Sequence, residues 1–452
     1  MKIEALGSCQ KIHMIGIGGS GMFPLAQILH ARGYQLSGSD NNESDTLELV
    51  REMGIPVVMG HYSQNVLGKD LVVYSAAISP ENPERLAAAA NHIPTMERSE
   101  LLGIVSQLYS QAVCISGTHG KTTTSAMLTQ VLLTAGKDPS AVIGGKLPLI
   151  GGNGRTGDSP LFVCESCEYV DTFLHLSPDY AVVLNIDEDH MEYFKTLERL
   201  KHSFRTFAEK ASTLVLYNGD DENTRDALDR LEKETRTFGL SPENDYTAAN
   251  IRMGDGIQMH FDALFQGQPL FPVTVNIPGK HNILNALACV AMAHILGCPA
   301  PDIQKGIADF RGAGRRFEVL GKVNGATLAD DYAHHPTELG AVLSTARTLP
   351  FQRIWAVFQP FTFSRTAMLL EDFARVLSLA DRVVLSPIMG SREINTYGIS
   401  SQDLAEKIPG CVVLDTFDEI ADYVAGQARE GDLILTLGCG DIYKAAKLML
   451  EL

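Results

Sequence analysis

The chain has 452 residues, 45% of them hydrophobic and 20% charged, which is the composition of an ordinary globular protein. Because single hydrophobic cores stop growing well below this length, we expect about three domains. A formal net charge of −17 and the lack of a basic tract argue against a nucleic-acid or anionic-membrane surface. No apolar run approaches the ~18 residues of a membrane span and the N-terminus lacks a signal-peptide pattern, so we expect a cytoplasmic protein. The eight scattered cysteines include one C-x-x-C pair without a second, which predicts reduced thiols and argues against zinc.

The first segment reads as a strand, a glycine-rich turn and the start of a helix. An apolar run from Lys11 leads into Gly16-Ile-Gly-Gly-Ser-Gly-Met22, and a second strand, Tyr34 to Ser37, ends near Asp40. A dinucleotide-binding fold places its ribose-binding acid at about that point. The glycines indicate a diphosphate at a helix N-terminus and do not by themselves identify a nicotinamide. Alternating strands and helices continue to about residue 109 and predict a parallel α/β domain.

The second segment opens with a candidate phosphate loop. The apolar run Ala112–Ile115 leads into Ser-Gly-Thr-His-Gly-Lys-Thr-Thr, residues 116–123, and a helix-compatible stretch follows. Glycines let backbone N–H groups approach phosphate oxygens, Lys121 can reach the terminal phosphates, and the Thr122 hydroxyl can hold Mg²⁺. The usual loop would need glycine where this chain has Ile115, so the loop is a shorter variant. The simpler interpretation is a strand-to-helix turn with an exposed lysine, but the register of strand, Gly-Lys-Thr and helix favours a nucleoside triphosphate site.

Acidic and imidazole side chains follow two strands of the same segment. One strand ends on Glu165, and the next runs through Asn185 towards His190. At the carboxyl edge of one sheet these groups can point at a single metal ion, although each alone fits a structural role as well. Farther on, His281, Asn282 and Asn285 share the first turn of a helix, where they suit contact with a base or phosphate; helix capping is the simpler interpretation.

The third segment begins after a glycine- and arginine-rich stretch, 310–318. Its glycines, Gly312 and Gly314, read as a hinge, and Arg315 and Arg316 as candidate phosphate contacts. A dense polar cluster at 330–338 follows. Three buried strands that each end in Pro or Gly then predict a second doubly wound α/β unit.

In this order along the chain, the motifs resemble those of the Mur ligase family. The resemblance rests on residues 16–22, 117–123, 185–191, 281–285, 314–318, 330–338 and 438–442. It implies an α/β fold of three domains: an N-terminal Rossmann-like UDP-sugar-binding domain (1–109), a central P-loop ATPase domain (110–313) and a C-terminal Rossmann-like domain (314–452) that closes over the site. The implied activity is ATP- and Mg²⁺-dependent amide-bond formation through an acyl phosphate in peptidoglycan precursor synthesis. The implied substrates are UDP-N-acetylmuramate and L-alanine, and the implied assembly is a monomer or weak dimer.

The resemblance also implies roles for individual residues. The UDP sugar would be bound by Gly16, Gly18, Gly19, Ser20, Gly21, Met22, Asp40, His61, Ser75 and Ala77, and the last four would lie beside its uridine and ribose. ATP would be bound by Gly117, Thr118, His119, Gly120, Lys121, Thr122, Thr123, His281, Asn282, Asn285, Arg316, Asp331 and Tyr332. Mg²⁺ would be held by Thr122, Glu165 and His190, and the catalytic residues would be Lys121, Arg316, His334 and Arg365, with the last two facing the substrate carboxylate or alanine.

Two departures from the family pattern leave alternatives open. Phe361 stands where the family often has histidine after Gln-Pro, and Cys167 replaces a carboxylate two residues after Glu165. One alternative is a sister ligase that attaches a whole tripeptide during cell-wall recycling. A second is an NAD-dependent dehydrogenase, which leaves the second phosphate loop unexplained. A third is a nucleotide-binding regulatory protein that has lost catalysis, although retention of Lys121 and Glu165 argues against it.

Overall fold

The fold is taken from a computed structural model, which describes residues 4–7, 9–254, 257–391 and 393–452. The chain divides into two compact units, each held together by its own internal contacts. The first unit comprises Met1–Arg252, His260–Val275 and His281–Phe310. The second unit comprises Met253–Met259, Asn276–Lys280 and Arg311–Leu452. Among the described residues, the strands group into sheets of five, ten and six strands. The first two sheets belong to the first unit and the third to the second unit.

The five-stranded sheet is parallel throughout and has the order β3-β2-β1-β4-β5. Its central strand carries the buried Ile12, Met14 and Ile15, an apolar run that suits a strand covered on both faces. The elements are α1 (Glu4–Gly7), β1 (Lys11–Ile15), α2 (Phe23–Ala31), β2 (Gln35–Asp40), α3 (Asp45–Glu52), β3 (Val57–Met59), β4 (Leu71–Tyr74), α4 (Pro83–Ala90), β5 (Thr95–Glu97) and α5 (Arg98–Ser106).

The ten-stranded sheet has the order β15-β14-β13-β12-β11-β10-β6-β9-β7-β8, with β6 between β10 and β9 in parallel register. The elements are β6 (Gln111–Ser116), α6 (Lys121–Thr134), β7 (Ser140–Leu147), β8 (Gly152–Arg155), β9 (Leu161–Glu165), β10 (Tyr180–Val183), α7 (Met191–Phe194), α8 (Leu197–Glu209), β11 (Leu214–Asn218), α9 (Glu222–Leu228), β12 (Thr235–Gly239), β13 (Tyr246–Met253), β14 (Met259–Phe265), β15 (Gln268–Val275), α10 (Lys280–Ile295) and α11 (Ala300–Asp309). The carboxyl ends of β6, β9 and β10 therefore meet at one edge, and the predicted phosphate loop and acids follow these three strands.

The six-stranded sheet has the order β16-β17-β21-β18-β19-β20, parallel except for the β16–β17 pair. Buried apolar side chains cover both of its faces in two clusters, one around Phe358 and Phe373 and one around Trp355 and Ile434. The elements are β16 (Glu318–Val323), β17 (Ala326–Asp331), α12 (Pro336–Thr348), β18 (Arg353–Phe358), α13 (Phe363–Met368), α14 (Leu370–Leu377), β19 (Arg382–Leu385), α15 (Ser401–Ala405), β20 (Val412–Val413), α16 (Phe417–Gln427), β21 (Asp432–Leu437) and α17 (Tyr443–Glu451).

The predicted order of three α/β regions is confirmed, while the boundaries at 109/110 and 313/314 stay predictions. All eight cysteines are free thiols, as their scatter along the chain predicts. In the part of the chain that the structure describes, every helix is too short or too polar to cross a bilayer.

Candidate active site

The phosphate loop between β6 and α6 has a backbone that requires glycine. Gly117 has φ +141° and Gly120 has φ +85°, conformations that side-chain-bearing residues rarely adopt. A Cβ on Gly117 would lie 2.9 Å from the Leu184 Cβ, and one on Gly120 would lie 2.4 Å from Asn285 Oδ1. The loop is therefore closely surrounded, and its two glycines are needed both for φ and for space.

Residues that follow β10 hold this loop in place. Asn185 accepts the His119 N–H at 2.8 Å through Oδ1 and donates to the His119 carbonyl at 3.0 Å through Nδ2. The Asp187 N–H donates to Thr118 Oγ1 at 2.9 Å. Both residues belong to the motif that carries the resemblance, but the sequence did not reveal that they brace the loop. A loop fixed by such bonds is already ordered before a phosphate binds.

Lys121 is buried in the loop and paired with a carboxylate. Its Nζ donates to the Gly117 and Thr118 carbonyls and lies 2.9 Å from Glu168 Oε2. The Lys121 and Glu168 side chains are only 13% and 1% exposed. Burial alone would lower the lysine pKa, but the charge and hydrogen bond of Glu168, together with the nearby Cys167 and Glu165, outweigh burial and raise the pKa, so Lys121 is an ammonium at neutral pH. Sequence reasoning missed Glu168 as its partner.

Two of the three predicted Mg²⁺ ligands lie together. Thr122 Oγ1 donates to Glu165 Oε1 at 3.0 Å, and the other Glu165 oxygen accepts the Gly144 N–H at 2.7 Å. Hydroxyl and carboxylate oxygens are the ligands that Mg²⁺ prefers, so this pair fits the ion. The ring of His190 packs against Tyr169, with centroids 4.6 Å apart. Groups of three or more His, Cys, Asp and Glu side chains placed to hold a metal are not found in the described ranges, so the three-residue set stays a prediction.

The start of α10 packs against the same loop. Because the helix begins at Lys280, the predicted residues His281, Asn282 and Asn285 lie inside it and none is the capping residue that precedes it. Asn285 donates to Asn282 at 3.0 Å and approaches Gly120 as described above. Burial, and then the nearby His119, lower the pKa of His281, which favours its neutral form. Contact with the nucleotide fits the position of these residues beside the loop and stays a prediction.

The first glycine turn lies at the carboxyl edge of the five-stranded sheet. Gly16 has φ +75°, and the Gly18 N–H donates to Asp40 Oδ2 at 3.0 Å, so Asp40 braces the turn. A Cβ on Gly21 would lie 2.9 Å from the Arg98 side chain. The other predicted uridine-side residues follow the neighbouring strands β3 and β4: His61, Ser75 and Ala77. The turn and these residues share one sheet edge, where ligands of open α/β sheets bind.

In the second unit, the two adjacent arginines differ. Arg315 donates to Asp330 Oδ2 at 2.7 Å and to the Gly438 and Gly440 carbonyls, so it stabilises the unit from inside and is wrong as a phosphate contact. The guanidinium groups of Arg316 and Arg315 both lie near the Tyr332 ring, 5.2 and 5.3 Å from its centre. The internal hydrogen bonds of Arg315 are therefore what distinguishes the two, and the role of Arg316 towards a ligand, which the resemblance implies, stays a prediction.

Asp331 is a buried acid of the polar cluster. Its carboxylate accepts the Phe317 N–H at 2.7 Å and the Ala333 N–H at 2.8 Å. Burial raises its pKa to about 6, against the lowering effect of Arg316 and the two backbone bonds. Whether it contacts ATP stays a prediction.

His334 is oriented by neighbouring acceptors. Its Nδ1 lies 3.2 Å from the Tyr332 carbonyl oxygen and 3.3 Å from Glu338 Oε2. Since both neighbours accept, the proton of the neutral ring is on Nδ1 and Nε2 is free to accept one. Burial lowers the His334 pKa although Glu338 opposes it, so the neutral form is favoured at pH 7. Phe361 lies edge-on to this ring at 6.3 Å, so the first departure from the family pattern is an apolar neighbour of His334.

Arg365, on α13, carries an unused donor. Its Nη1 is buried and has no hydrogen-bond partner among the residues that the structure describes. A buried guanidinium nitrogen without a partner costs free energy, which a carboxylate ligand can recover. This observation fits its predicted role in facing a carboxylate.

Comparison with known proteins identifies the family. Three family models match in succession: "Mur ligase family, catalytic domain" over residues 11–110, "Mur ligase middle domain" over 115–293 and "Mur ligase, glutamate ligase domain" over 315–440. A UDP-N-acetylmuramate–L-alanine ligase of Agathobacter rectalis is 43% identical over 97% of each chain. The crystal structure of a UDP-N-acetylmuramate–alanine ligase from Thermotoga maritima matches with a TM-score of 0.82, 28% identity and 98% coverage of each chain. A murein peptide ligase from Psychrobacter arcticus shares the fold, with a TM-score of 0.72, 23% identity and 98% coverage of each chain. The chain therefore belongs to the Mur ligase family.

Proposed function

We propose that this protein joins L-alanine to the lactyl carboxylate of UDP-N-acetylmuramate, with conversion of ATP to ADP and phosphate. The observation that carries the proposal is the pair of glycine turns with positive φ on two separate sheets, the turn 16–21 after β1 and the loop 117–122 after β6. One suits the diphosphate of a UDP sugar and the other a nucleoside triphosphate. Two of the relatives named above, from Agathobacter rectalis and Thermotoga maritima, are UDP-N-acetylmuramate–alanine ligases by name, which supports the choice of substrates. A dehydrogenase would use only the first site.

The reaction needs activation because a carboxylate does not react with an amine at neutral pH. In the proposed sequence a lactyl carboxylate oxygen attacks the γ-phosphorus of ATP and ADP leaves, which gives an acyl phosphate. The alanine nitrogen then attacks the acyl carbon, loses a proton and expels inorganic phosphate. Lys121, an ammonium fixed at the loop, stabilises the negative charge of the transferring phosphoryl group, and Arg316 is proposed to act in the same way.

Mg²⁺ fits the oxygen pair of Thr122 and Glu165, which would hold it, with His190 as the third proposed ligand. When bound, the ion neutralises phosphate charge and orients the phosphates. Glu165 is kept in place by hydrogen bonds from Thr122 and from the Gly144 N–H, which orient its carboxylate.

The second unit supplies the proposed groups for the amine and carboxylate. Arg365, with its unpaired Nη1, is proposed to bind a carboxylate of the substrate or of alanine. His334 is proposed to take the proton that the alanine nitrogen loses, because its Nε2 is the free acceptor of a neutral ring. As part of the proposal, the reaction occurs in the cytoplasm, in peptidoglycan precursor synthesis, by a monomer or weak dimer.

The test is phosphate release from ATP and Mg²⁺ in the presence of UDP-N-acetylmuramate, with one amine added at a time. We expect release only when L-alanine is also present, and a product heavier by one alanine residue in mass spectrometry. Release supported by a tripeptide and not by alanine would replace the proposal with the recycling ligase. Binding of both nucleotides without release for any amine would favour the regulatory alternative.

A further inference from the structure

A buried carboxylate lies behind the proposed uridine-side residue His61 and has no part in the mechanism above. Glu84 is the second residue of α4, and its side chain is completely buried. A carboxylate in such a position is costly unless it is fully hydrogen-bonded, so its partners indicate what it does.

Polar groups from three different segments converge on Glu84. Ser39 Oγ, on β2, donates to Oε2 at 2.6 Å. Asn65 Nδ2 and the Tyr62 N–H donate to Oε1, and His13 Nε2, on β1, lies 3.6 Å from the same oxygen. Burial alone would raise the pKa of this carboxyl, but the proximity of His13 and the hydrogen bonds from Ser39 and Asn65 together outweigh burial and hold the pKa at about 2. Glu84 is therefore ionised at neutral pH and can only accept hydrogen bonds.

This charge state determines the tautomer of His61. The Ser39 hydroxyl has one proton, and because that proton goes to Glu84, the Ser39 oxygen can only accept from other groups. His61 Nδ1 lies 3.1 Å from Ser39 Oγ and 3.4 Å from Glu84 Oε2. Both neighbours are acceptors, so Nδ1 carries the proton of the neutral ring. His61 Nε2 is consequently a hydrogen-bond acceptor.

His61 is held at the edge proposed for the nucleoside. It follows β3 through Gly60, which has φ +92° and whose N–H donates to the Asp40 carbonyl at 2.8 Å. Asp40 also braces the first glycine turn. The imidazole is thus fixed from two sides, by the backbone at Asp40 and by the side chains of Ser39 and Glu84.

We propose that Glu84 is a positioning residue that holds His61 as the Nδ1–H tautomer, so that Nε2 accepts the N3–H of uracil and the site selects uridine over cytidine. Uracil presents a donor at N3, whereas cytosine presents an acceptor there and meets the Nε2 lone pair unfavourably. A site that hydrogen-bonds a particular group of its ligand strongly rejects an analogue without that group, because a polar atom of the site is then left unpaired. An apolar pocket discriminates less strongly between such ligands. The inference rests on the proposed function, because it assumes that the UDP moiety binds at this edge.

The test compares UDP and CDP, two probes that differ only in the base, by calorimetry on the full chain. We expect the wild type to bind UDP at least about tenfold more tightly than CDP. In Glu84→Gln the new amide can donate to Ser39 and reverse the direction of that hydrogen bond, so we expect the UDP/CDP affinity ratio to fall to about twofold. Glu81→Gln is the matched control, since Glu81 is an exposed acid three residues earlier, and its ratio should equal the wild-type ratio. An equal loss of both affinities in Glu84→Gln would mean that Glu84 is merely structural and would overturn the inference.

Nitrogen-15 NMR of histidine-labelled protein reads the tautomer directly, with the His61 signals assigned from a His61→Gln sample. Nδ1–H in the wild type and a shift towards Nε2–H in Glu84→Gln support the inference, and Nε2–H in the wild type contradicts it. If Glu84→Gln does not fold, the wild-type spectrum and the wild-type UDP/CDP ratio still decide, because Nε2–H or equal affinity for the two nucleotides contradicts the inference. UDP binding requires no turnover, so a protein that selects UDP but ligates nothing would refute the proposed function alone.

Discussion

Replacing Glu168 with glutamine leaves the Lys121 ammonium without its counter-charge in a buried loop. The Nζ–Oε2 distance is 2.9 Å, and the carboxylate is 1% exposed, so water cannot replace it. Breaking a buried ion pair by removing one partner costs about 3–5 kcal/mol. Because a glutamine oxygen can still accept from Nζ, as the Gly117 and Thr118 carbonyls do, we expect the low end, about 3 kcal/mol.

The assay follows labelling of two buried thiols near the loop. Cys114 and Cys164 are completely buried and face each other on neighbouring strands of the ten-stranded sheet. If labelling requires opening of this sheet, a loss of about 3 kcal/mol raises the labelling rate by about a hundredfold. The matched control is Glu209→Gln, which removes the half-exposed carboxylate paired with Arg205 at 3.0 Å in the same unit, and we expect a change below about 1 kcal/mol.

The double variant Lys121→Met/Glu168→Gln separates the charge effect from packing. Without the ammonium there is no unpaired charge, so the double variant should recover at least half of the stability lost in Glu168→Gln. The reasoning is refuted if Glu168→Gln labels no faster than the Glu209→Gln control, or if the double variant recovers nothing.

Three further predictions concern turnover, ATP binding and pH. Lys121→Ala should abolish phosphate release, and near-normal turnover would contradict the phosphate-loop assignment. The UDP affinity of this variant, measured by calorimetry, should stay within about twofold of wild type, because the first glycine turn is unaltered. Gly120→Ala should weaken ATP binding at least about tenfold, because the backbone there has a positive φ and the new Cβ would lie 2.4 Å from Asn285 Oδ1. The control is Gly136→Ala, which also has a positive φ (+66°) but open space around the new Cβ, so it should affect only stability. Equal ATP affinities in the two variants would rule out the close contact as the cause. Asp331 has a folded-state pKa of about 6, above its unfolded value, so its contribution to stability is greatest below about pH 4 and falls by about 3 kcal/mol as the pH rises to 6. Urea unfolding followed by Trp355 fluorescence, which reports on the second unit, should show this fall in the wild type and lose it in Asp331→Asn; an identical pH dependence in both would contradict it.

Local patterns determined much of the architecture before any coordinates. Apolar runs predicted β1, β6 and β9 within one or two residues, because a strand buried on both faces needs a continuous apolar sequence. The glycine turns were predictable for a similar reason, since positive φ and close backbone approach leave few other residues possible. The family followed from the order of these motifs along the chain.

The pairing of charged side chains was decided only by the tertiary structure. Glu168 is 47 residues from Lys121, and Glu84 is 45 residues from Ser39, so no local spacing reveals either contact. Arg315 and Arg316 look equivalent in sequence and both lie near the Tyr332 ring, but Arg315 also bonds to Asp330 and to two backbone carbonyls inside the unit. Sequence patterns report which way a backbone runs and which face is buried, whereas hydrogen-bond partners depend on which strands become neighbours, and that is fixed only when the sheets assemble.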